Sequence, residues 1–291
     1  MLKTPDIYNS VYPLVKVALC QVRTEVWKLE SNLGRTLAQI DEAAEQGAHI
    51  AITPECVLHG YAPLCDGYKD KMLQIAQPVD GEVITAFREK AENHGMHVVL
   101  GFAEIDQQSN IYNTAITIDN YGNIQSRYRK VHCRDFESIT GSGVFKAGNE
   151  FFVRPLRLGA ETYKVGTMIC FDREIPETVR CLRSLGAELI ACPLATDTDG
   201  FYDTFINNES LTRVRAAENE VFIAVANHSG RFNGGSFLVG PGGEVVHKMD
   251  DRPGVATVSI HLKVVDEQFH KRPYGWMGWG YRRPDVYQKH M

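Results

Sequence analysis

The chain of 291 residues contains no apolar run of 18 residues, and its opening, Met1-Leu2-Lys3-Thr4-Pro5-Asp6, lacks the apolar stretch of an export signal. Neither membrane spanning nor secretion is encoded in a recognisable form, and no membrane partner is expected. Positive charge is in deficit: 31 Lys and Arg against 36 Asp and Glu leave a formal charge of −5. A polyanion needs a concentrated basic surface, so nucleic acid is excluded as an expected partner. The nearest basic cluster, Arg127, Arg129, Lys130, His132 and Arg134, alternates along an expected strand and reads as one solvated face, with Lys130 the inward exception. An organised cysteine framework is also missing. The seven cysteines are odd in number and scattered through apolar segments, which fits a reducing, cytoplasmic setting. Cys56, His59 and Cys65 gather soft ligands, but at no standard zinc spacing and without an evident fourth ligand. Gly141, Gly143 and Gly148 form neither a phosphate-binding loop nor a dinucleotide fingerprint and read as a mobile loop. No metal and no cofactor is expected.

What is present is an ordinary globular composition, 44% hydrophobic and 23% charged, with no linker and no internal repeat. Apolar runs at residues 14–22, 49–54, 97–105, 113–119, 162–169, 188–194, 221–229 and 254–262 read as strands. Helical periodicity marks 28–46, with Leu29, Leu33, Leu37, Ile40 and Ala44 on one face, and also 81–94, 176–185 and 203–219. Turns at Asn120-Tyr121-Gly122-Asn123 and Pro241-Gly242-Gly243 close two hairpins, the first ending on Lys130. Strands alternating with helices, but with hairpins in both halves, indicate an α/β protein with mixed sheets.

Three polar residues stand where apolar runs give out: Glu55 after Ala51-Ile52-Thr53-Pro54, Lys130 after Ser126-Arg127-Tyr128-Arg129, and Cys170 after Val165-Gly166-Thr167-Met168-Ile169. Beyond Cys170, Pro176 suits the first turn of a helix and Glu177 its positive end. A strand-to-helix turn would expose the sulfur, aim backbone N–H groups at its target and lower the thiol pKa. Cysteine hydrolysis requires a thiolate, a proton carrier and oxyanion donors, which Cys170, Glu55 and Lys130 can supply. Taken alone, Cys170 reads more readily as a buried apolar thiol.

In order and context the strings Pro54-Glu55, Tyr128-Arg129-Lys130-Val131-His132 and Cys170-Phe171-Asp172 to Pro176-Glu177 resemble the nitrilase superfamily of carbon–nitrogen hydrolases. The resemblance covers about residues 14–262, with a family-like tail in Arg282, Arg283, Pro284, Asp285 and Tyr287. It implies a four-layer α-β-β-α sandwich with two mixed sheets and the active site between them, often extended across a dimer interface. The organisation expected is therefore a lead over 1–13, a hydrolase domain over 14–262 and a tail over 263–291. Within that tail, Tyr274-Gly275-Trp276-Met277-Gly278-Trp279-Gly280-Tyr281 offers surface either to a partner subunit, in a homodimer or larger homo-oligomer, or to its own domain.

By the same resemblance Cys170 is the nucleophile, Glu55 the general base and Lys130 the cation beside the tetrahedral intermediate. Phe171 then contributes an oxyanion donor through its N–H. Glu137, seven residues beyond Lys130, matches a second family glutamate, with Asp135 its rival. Cys56, next to the base, should point the opposite way if the strand continues. Tyr61 matches a pocket position or merely packs. Arg173 is either a clamp for a substrate carboxylate or a structural partner of Glu174 or Glu177. Thr196 and Asp197 lie at a strand mouth where substrate selection is plausible, and Asp199 and Asp203 either favour a cationic substrate or begin the next helix. Because Phe171-Asp172 replaces the Trp-Glu typical of family nitrilases, the implied reaction is hydrolysis of a small linear amide or N-carbamoyl compound with release of ammonia. A nitrilase is the alternative, and a catalytically silent binding protein on the same fold is the alternative of another class.

Overall fold

The computed structural model describes residues 12–63, 65, 67–196, 208–266 and 279–289. Two six-stranded mixed sheets are stacked face to face and covered by helices outside, giving the expected α-β-β-α layering. The first sheet runs β12 (Gly254–Ile260), β1 (Val15–Gln21), β2 (Ile50–Ile52), β3 (His97–Ile105), β4 (Ile111–Ile118), β5 (Ile124–Arg129). The second runs β11 (Val245–Lys248), β10 (Phe237–Val239), β9 (Phe222–Ala226), β8 (Leu189–Pro193), β7 (Glu161–Thr167), β6 (Val153–Leu158). Each sheet has three parallel strands at its centre, β1-β2-β3 and β7-β8-β9, flanked by antiparallel neighbours. The architecture is thus duplicated although the sequence shows no repeat. The strand that precedes β7 in the second half is β6, whereas its counterpart beside β1 comes from the far end of the chain, β12.

Residue alternation explains the layering. Val17 and Leu19 of β1 and Val99 of β3 pack between the sheets, while Ala18, Cys20, Val98, Leu100 and Phe102 face the helices α1 (Leu29–Glu45) and α3 (Glu82–His94). Each fully buried Val or Leu in these layers contributes about 1.5–3 kcal/mol relative to an exposed one. On the other side, α4 (Pro176–Ser184) and α5 (Asn208–Asn219) cover the second sheet through residues such as Val179, Leu182 and Ala216. The buried stripe of α1 is Asn32, Thr36, Ile40 and Ala43, not the leucines, which are only partly buried. Asn32 is there because it bonds the backbone of Glu25 and donates to Leu58 O at 3.1 Å, tying the helix to the loop beyond Glu55.

Elements that were not expected include α2 (Tyr68–Ile75), β6 and the short helix α6 (Pro284–Tyr287). β6 contains Pro155, which normally argues against a strand, but it is an edge strand and its missing donor is lost from no ladder partner on the outer side. In the tail, Trp279 lies 5.9 and 4.5 Å from the guanidinium groups of Arg180 and Arg183 on α4. The described part of the tail therefore touches its own domain, while Trp276 and its neighbours lie outside the described residues. No helix among them is long and apolar enough to cross a membrane.

Candidate active site

The loops at the carboxyl ends of the central parallel strands of both sheets converge, the position where open α/β sheets place ligand sites. Glu55 follows β2. Its N–H donates to Leu194 O, beyond β8, at 3.3 Å, and its carbonyl accepts from His228 Nε2, beyond β9, at 2.7 Å. His228 is buried and its pKa is pushed down to about 4, so the ring is neutral, with the proton on Nε2 and Nδ1 facing Thr24 Oγ1 at 2.8 Å. The loop also rests on β3, where Gly101 is obligatory: a Cβ would stand 2.5 Å from Pro54 O and 3.1 Å from Glu55 Cα.

Lys130 leaves the end of β5 with its N–H on Asn113 O at 2.8 Å, and its ammonium enters the space above Glu55. Beyond it the chain folds back so that Val144 and Phe145 both donate to Glu137 O, and Gly148 donates to Lys130 O. The glycines of this segment therefore serve close packing and not the mobile loop expected of them. At Gly143 a Cβ would lie 2.0 Å from Glu137 C. This fold-back seats the Glu137 carboxylate on Lys130 and leaves Asp135 exposed.

The result is a triad of fully buried charges. Lys130 Nζ stands 2.8 Å from Glu55 Oε1 and 2.9 Å from each oxygen of Glu137. Burial alone would favour a neutral amine, but Glu137 and Glu55 outweigh it and hold the ammonium well above its ordinary range. Burial raises the pKa of Glu55; Lys130 opposes this, the charge of Glu137 adds to it, and the net shift is upward. Asn113 Nδ2 donates to the same Glu55 Oε1 at 2.6 Å, whereas Glu55 Oε2 is buried without a hydrogen-bond partner.

Cys170 begins a short 3-10 turn, Cys170–Glu174, with a left-handed φ of +46°, a strained conformation for a residue with a side chain. Asp172 pins the turn: its carboxylate accepts from Ile169 N at 3.0 Å, Tyr128 Oη at 2.6 Å, His132 N at 2.9 Å and His132 Nδ1 at 2.8 Å. The turn that begins at Cys170 is thereby locked to the strand end that carries Lys130. The thiol differs from expectation. α4 starts only at Pro176, too far along to act on the sulfur, and burial together with Glu55 pushes the thiol pKa up despite Lys130 and Arg173. The protonated thiol is therefore the favoured form, and Glu55, whose own pKa is raised, lies near enough for its charge to add to that preference.

Of the other expected residues, Thr196 is beside Cys170, its Oγ1 3.9 Å from the Sγ. Its loop is held by Asn227, whose Nδ2 donates to Thr196 O at 2.9 Å. Phe171 is half-buried beneath the guanidinium of Arg134, 4.1 Å from its ring centroid. Tyr61 is buried and packs edge-on against Phe232; burial and the carboxylate of Glu137, through a hydrogen bond as well as its charge, push the phenol well above its ordinary range. Arg173 is corrected. It is buried and donates to Asn208 at the start of α5, while Glu174 pairs with Arg134 at 2.8 Å, so its structural partner is Asn208 and not Glu174. Asp197, Asp199 and Asp203 lie outside the described residues. Cys56 is corrected too: β2 has ended, Cys56 takes a φ of +48°, and its thiol turns to the same side as Glu55, donating to Asn113 Oδ1 at 3.3 Å. His59 stacks on Trp27 instead of joining a ligand set, and among the described residues no group of three or more His, Cys, Asp or Glu is placed to hold a metal. Sequence reasoning missed Asn113, His228 and Asn227 as site-forming residues, and read Asp172 as part of the Cys170 motif without its role in pinning the turn. Only their positions at or next to strand ends were available as a signal.

The family model for carbon–nitrogen hydrolases matches residues 16–268. The chain belongs to the carbon–nitrogen hydrolase family. Its similarities within that family span differently named members. It is 29% identical over 98% of its length to the deaminated glutathione amidase of Bos taurus, covering 87% of that protein. It is 30% identical over 86% of its length to a nitrilase of Pyrococcus abyssi, covering 91% of it. In fold, this hydrolase superposes on the amidase from Nesterenkonia sp. AN1 with a TM-score of 0.76 at 24% identity, covering 95% of this chain and all of that one.

Proposed function

We propose that this carbon–nitrogen hydrolase cleaves a small linear amide or N-carbamoyl compound through a thioester on Cys170, releasing ammonia. The observation that carries the reading is the pairing of a neutral, strained Cys170 thiol with a buried Glu55 whose Oε2 is left without a partner while Lys130 occupies Oε1. As Cys170 Sγ attacks the carbonyl carbon, its proton passes to Glu55. The oxyanion that forms is balanced by the Lys130 ammonium and the N–H of Phe171. Glu55 returns the proton to the departing nitrogen, the C–N bond breaks, and ammonia leaves a thioester on Cys170. Glu55 next takes a proton from water as that water attacks the thioester, and the second tetrahedral species collapses to a carboxylic acid, with the proton returned to sulfur. Thr196 and Tyr61 border the reacting sulfur and the carboxylates and are the proposed substrate contacts among the described residues; Asp197 is proposed with them.

The Phe171-Asp172 pair supports an amide over a nitrile, and Asp172 acts there by locking the nucleophile's turn. A nitrile would first form a thioimidate, which needs an additional water and proton transfer before the common thioester. The test is ammonia release over a panel of ω-amides, N-carbamoyl amines, N-carbamoyl amino acids and nitriles, with rapid-quench mass spectrometry on the best substrate. An acyl adduct on the Cys170 peptide is expected. Unchanged turnover in Cys170→Ala, or a higher kcat/KM for the nitrile across several matched pairs, overturns the reading.

A further inference from the structure

Asn113, at the start of β4, touches three of the four charged or nucleophilic groups' anchors, yet it belongs to no expected role. Its backbone carbonyl accepts the N–H of Lys130 at 2.8 Å. Its side-chain amide donates to Glu55 Oε1 at 2.6 Å and to Glu137 Oε1 at 3.4 Å. The far side of the same amide accepts the Cys56 thiol at 3.3 Å. All four side chains involved, those of Asn113, Cys56, Glu55 and Glu137, are buried to the limit, with no exposed surface.

This geometry leaves one orientation for the amide. Flipped, its oxygen would face two carboxylates and its NH2 would face a thiol that is itself kept protonated, since burial and the nearby carboxylates raise the Cys56 pKa well above its ordinary value. The orientation in turn decides which oxygen of Glu55 is available. Lys130 and Asn113 both bind Oε1, so Oε2 remains a buried carboxylate oxygen with no hydrogen-bond partner among the described residues, a costly arrangement that an arriving proton would relieve. A neutral double donor also binds both carboxylates without adding a charge to a triad already carrying a formal excess of one negative.

Resting on the reading of Glu55 as the proton carrier, we propose that Asn113, oriented by Cys56, is a positioning residue that holds Glu55 by Oε1 and reserves Oε2 for the proton of Cys170. The titratable groups facing Glu55 are Lys130 and Glu137 from β5 and the fold-back after it, Cys170 after β7, Cys192 of β8, and Cys56, Tyr61, Tyr68 and Cys133. The thiols and phenols among them are all raised, so among the described residues the charges the substitution is read against are those of Lys130 and Glu137. The Asn113 bond favours the ionised form of Glu55, so removing it moves the Glu55 pKa further up.

The experiment is the pH dependence of kcat and KM for the full-length protein, using the best substrate of the panel. Asn113→Ala should lower kcat about 10- to 100-fold, the size of a lost hydrogen bond to a charged group, with KM near wild type. The acidic limb of its kcat profile should move to higher pH. Cys56→Ala, which frees the amide to turn, should move that limb the same way, and Cys56→Ser, which keeps a donor, should restore it in part. The Cys56 pair decides the matter even if Asn113→Ala does not fold. An acidic limb at the wild-type position in the folded variants, or Cys56→Ala and Cys56→Ser behaving alike, overturns the positioning role while wild-type turnover leaves the hydrolase reading standing. A wild type inactive on every amide, carbamoyl compound and nitrile overturns both.

Discussion

Replacing Lys130 with methionine removes a single positive charge from between two buried carboxylates, and its cost follows from the geometry. The ammonium lies 2.8 Å from Glu55 and 2.9 Å from Glu137, with no exposed surface on any of the three side chains. At an effective dielectric of about 20, two opposite charges roughly 4 Å apart attract by about 4 kcal/mol, so two such attractions are lost. Against this stands the relief of no longer burying the ammonium, several kcal/mol. The net is a destabilisation of about 3–5 kcal/mol, a large share of the 5–15 kcal/mol typical of a folded domain. The deficit should depend on pH. Glu55 is already raised above its ordinary 4.5, and without the pull of Lys130 it rises further. A carboxyl whose folded pKa exceeds its unfolded one is no burden below the unfolded value and loses stability as pH rises through the folded value. Urea unfolding followed by circular dichroism should therefore show Lys130→Met closest to wild type in mild acid and falling behind as the pH rises to neutral. Equal stability at neutral pH, or a deficit that does not shrink in acid, refutes this account of the charges.

Glu137→Gln should shift the acidic limb of kcat to lower pH, opposite to Asn113→Ala, because the charge of Glu137 is one of the causes holding Glu55 up; a shift to higher pH contradicts that. Glu55→Gln should lower kcat by about two orders of magnitude or more while the protein stays folded, the usual size of a lost acid–base group. Alkylation of Cys170 by iodoacetamide should be slow at neutral pH and keep accelerating with alkali, since burial and Glu55 keep the thiol protonated; a fast plateau at neutral pH would identify a resting thiolate. Dialysis against a chelator should leave turnover intact, and loss restored by zinc would revive a metal role for Cys56, His59 and Cys65.

The strands other than β6 and the two hairpins were readable in the sequence because a two-residue period is local, as in β1, where Val17 and Leu19 face one way and Ala18 and Cys20 the other. The order of the site motifs was equally local, and with it Glu55, Lys130 and Cys170. What was not legible depended on contacts distant along the chain. Asn32 looks misplaced in an amphipathic helix until Glu25 and Leu58 are seen to need it. Arg173 chose Asn208, 35 residues away, over adjacent carboxylates. Cys56 was assigned the wrong side because strand alternation was carried past Ile52, where the backbone had already turned. The thiol pKa was misjudged for a related reason: a helix terminus can be inferred from Pro176, but the burial of the sulfur and the distance to Glu55 cannot.

The placement of β12 beside β1 also governs when this enzyme can exist during its own synthesis. Every residue of β1 from Val15 to Gln21 is matched by one of the last sheet-forming strand, Ile260 to Gly254. Glu55, Lys130 and Cys170 have all left the ribosome long before that partner emerges, and until then the first sheet presents β1 as a bare edge with unpaired backbone groups. Pairings of such long sequence separation form late and slowly. The chain therefore divides into no catalytic half and supporting half. A nascent or truncated form that ends before Gly254 holds Glu55, Lys130 and Cys170 on an unfinished sheet, exposed to edge-to-edge association before the site is complete.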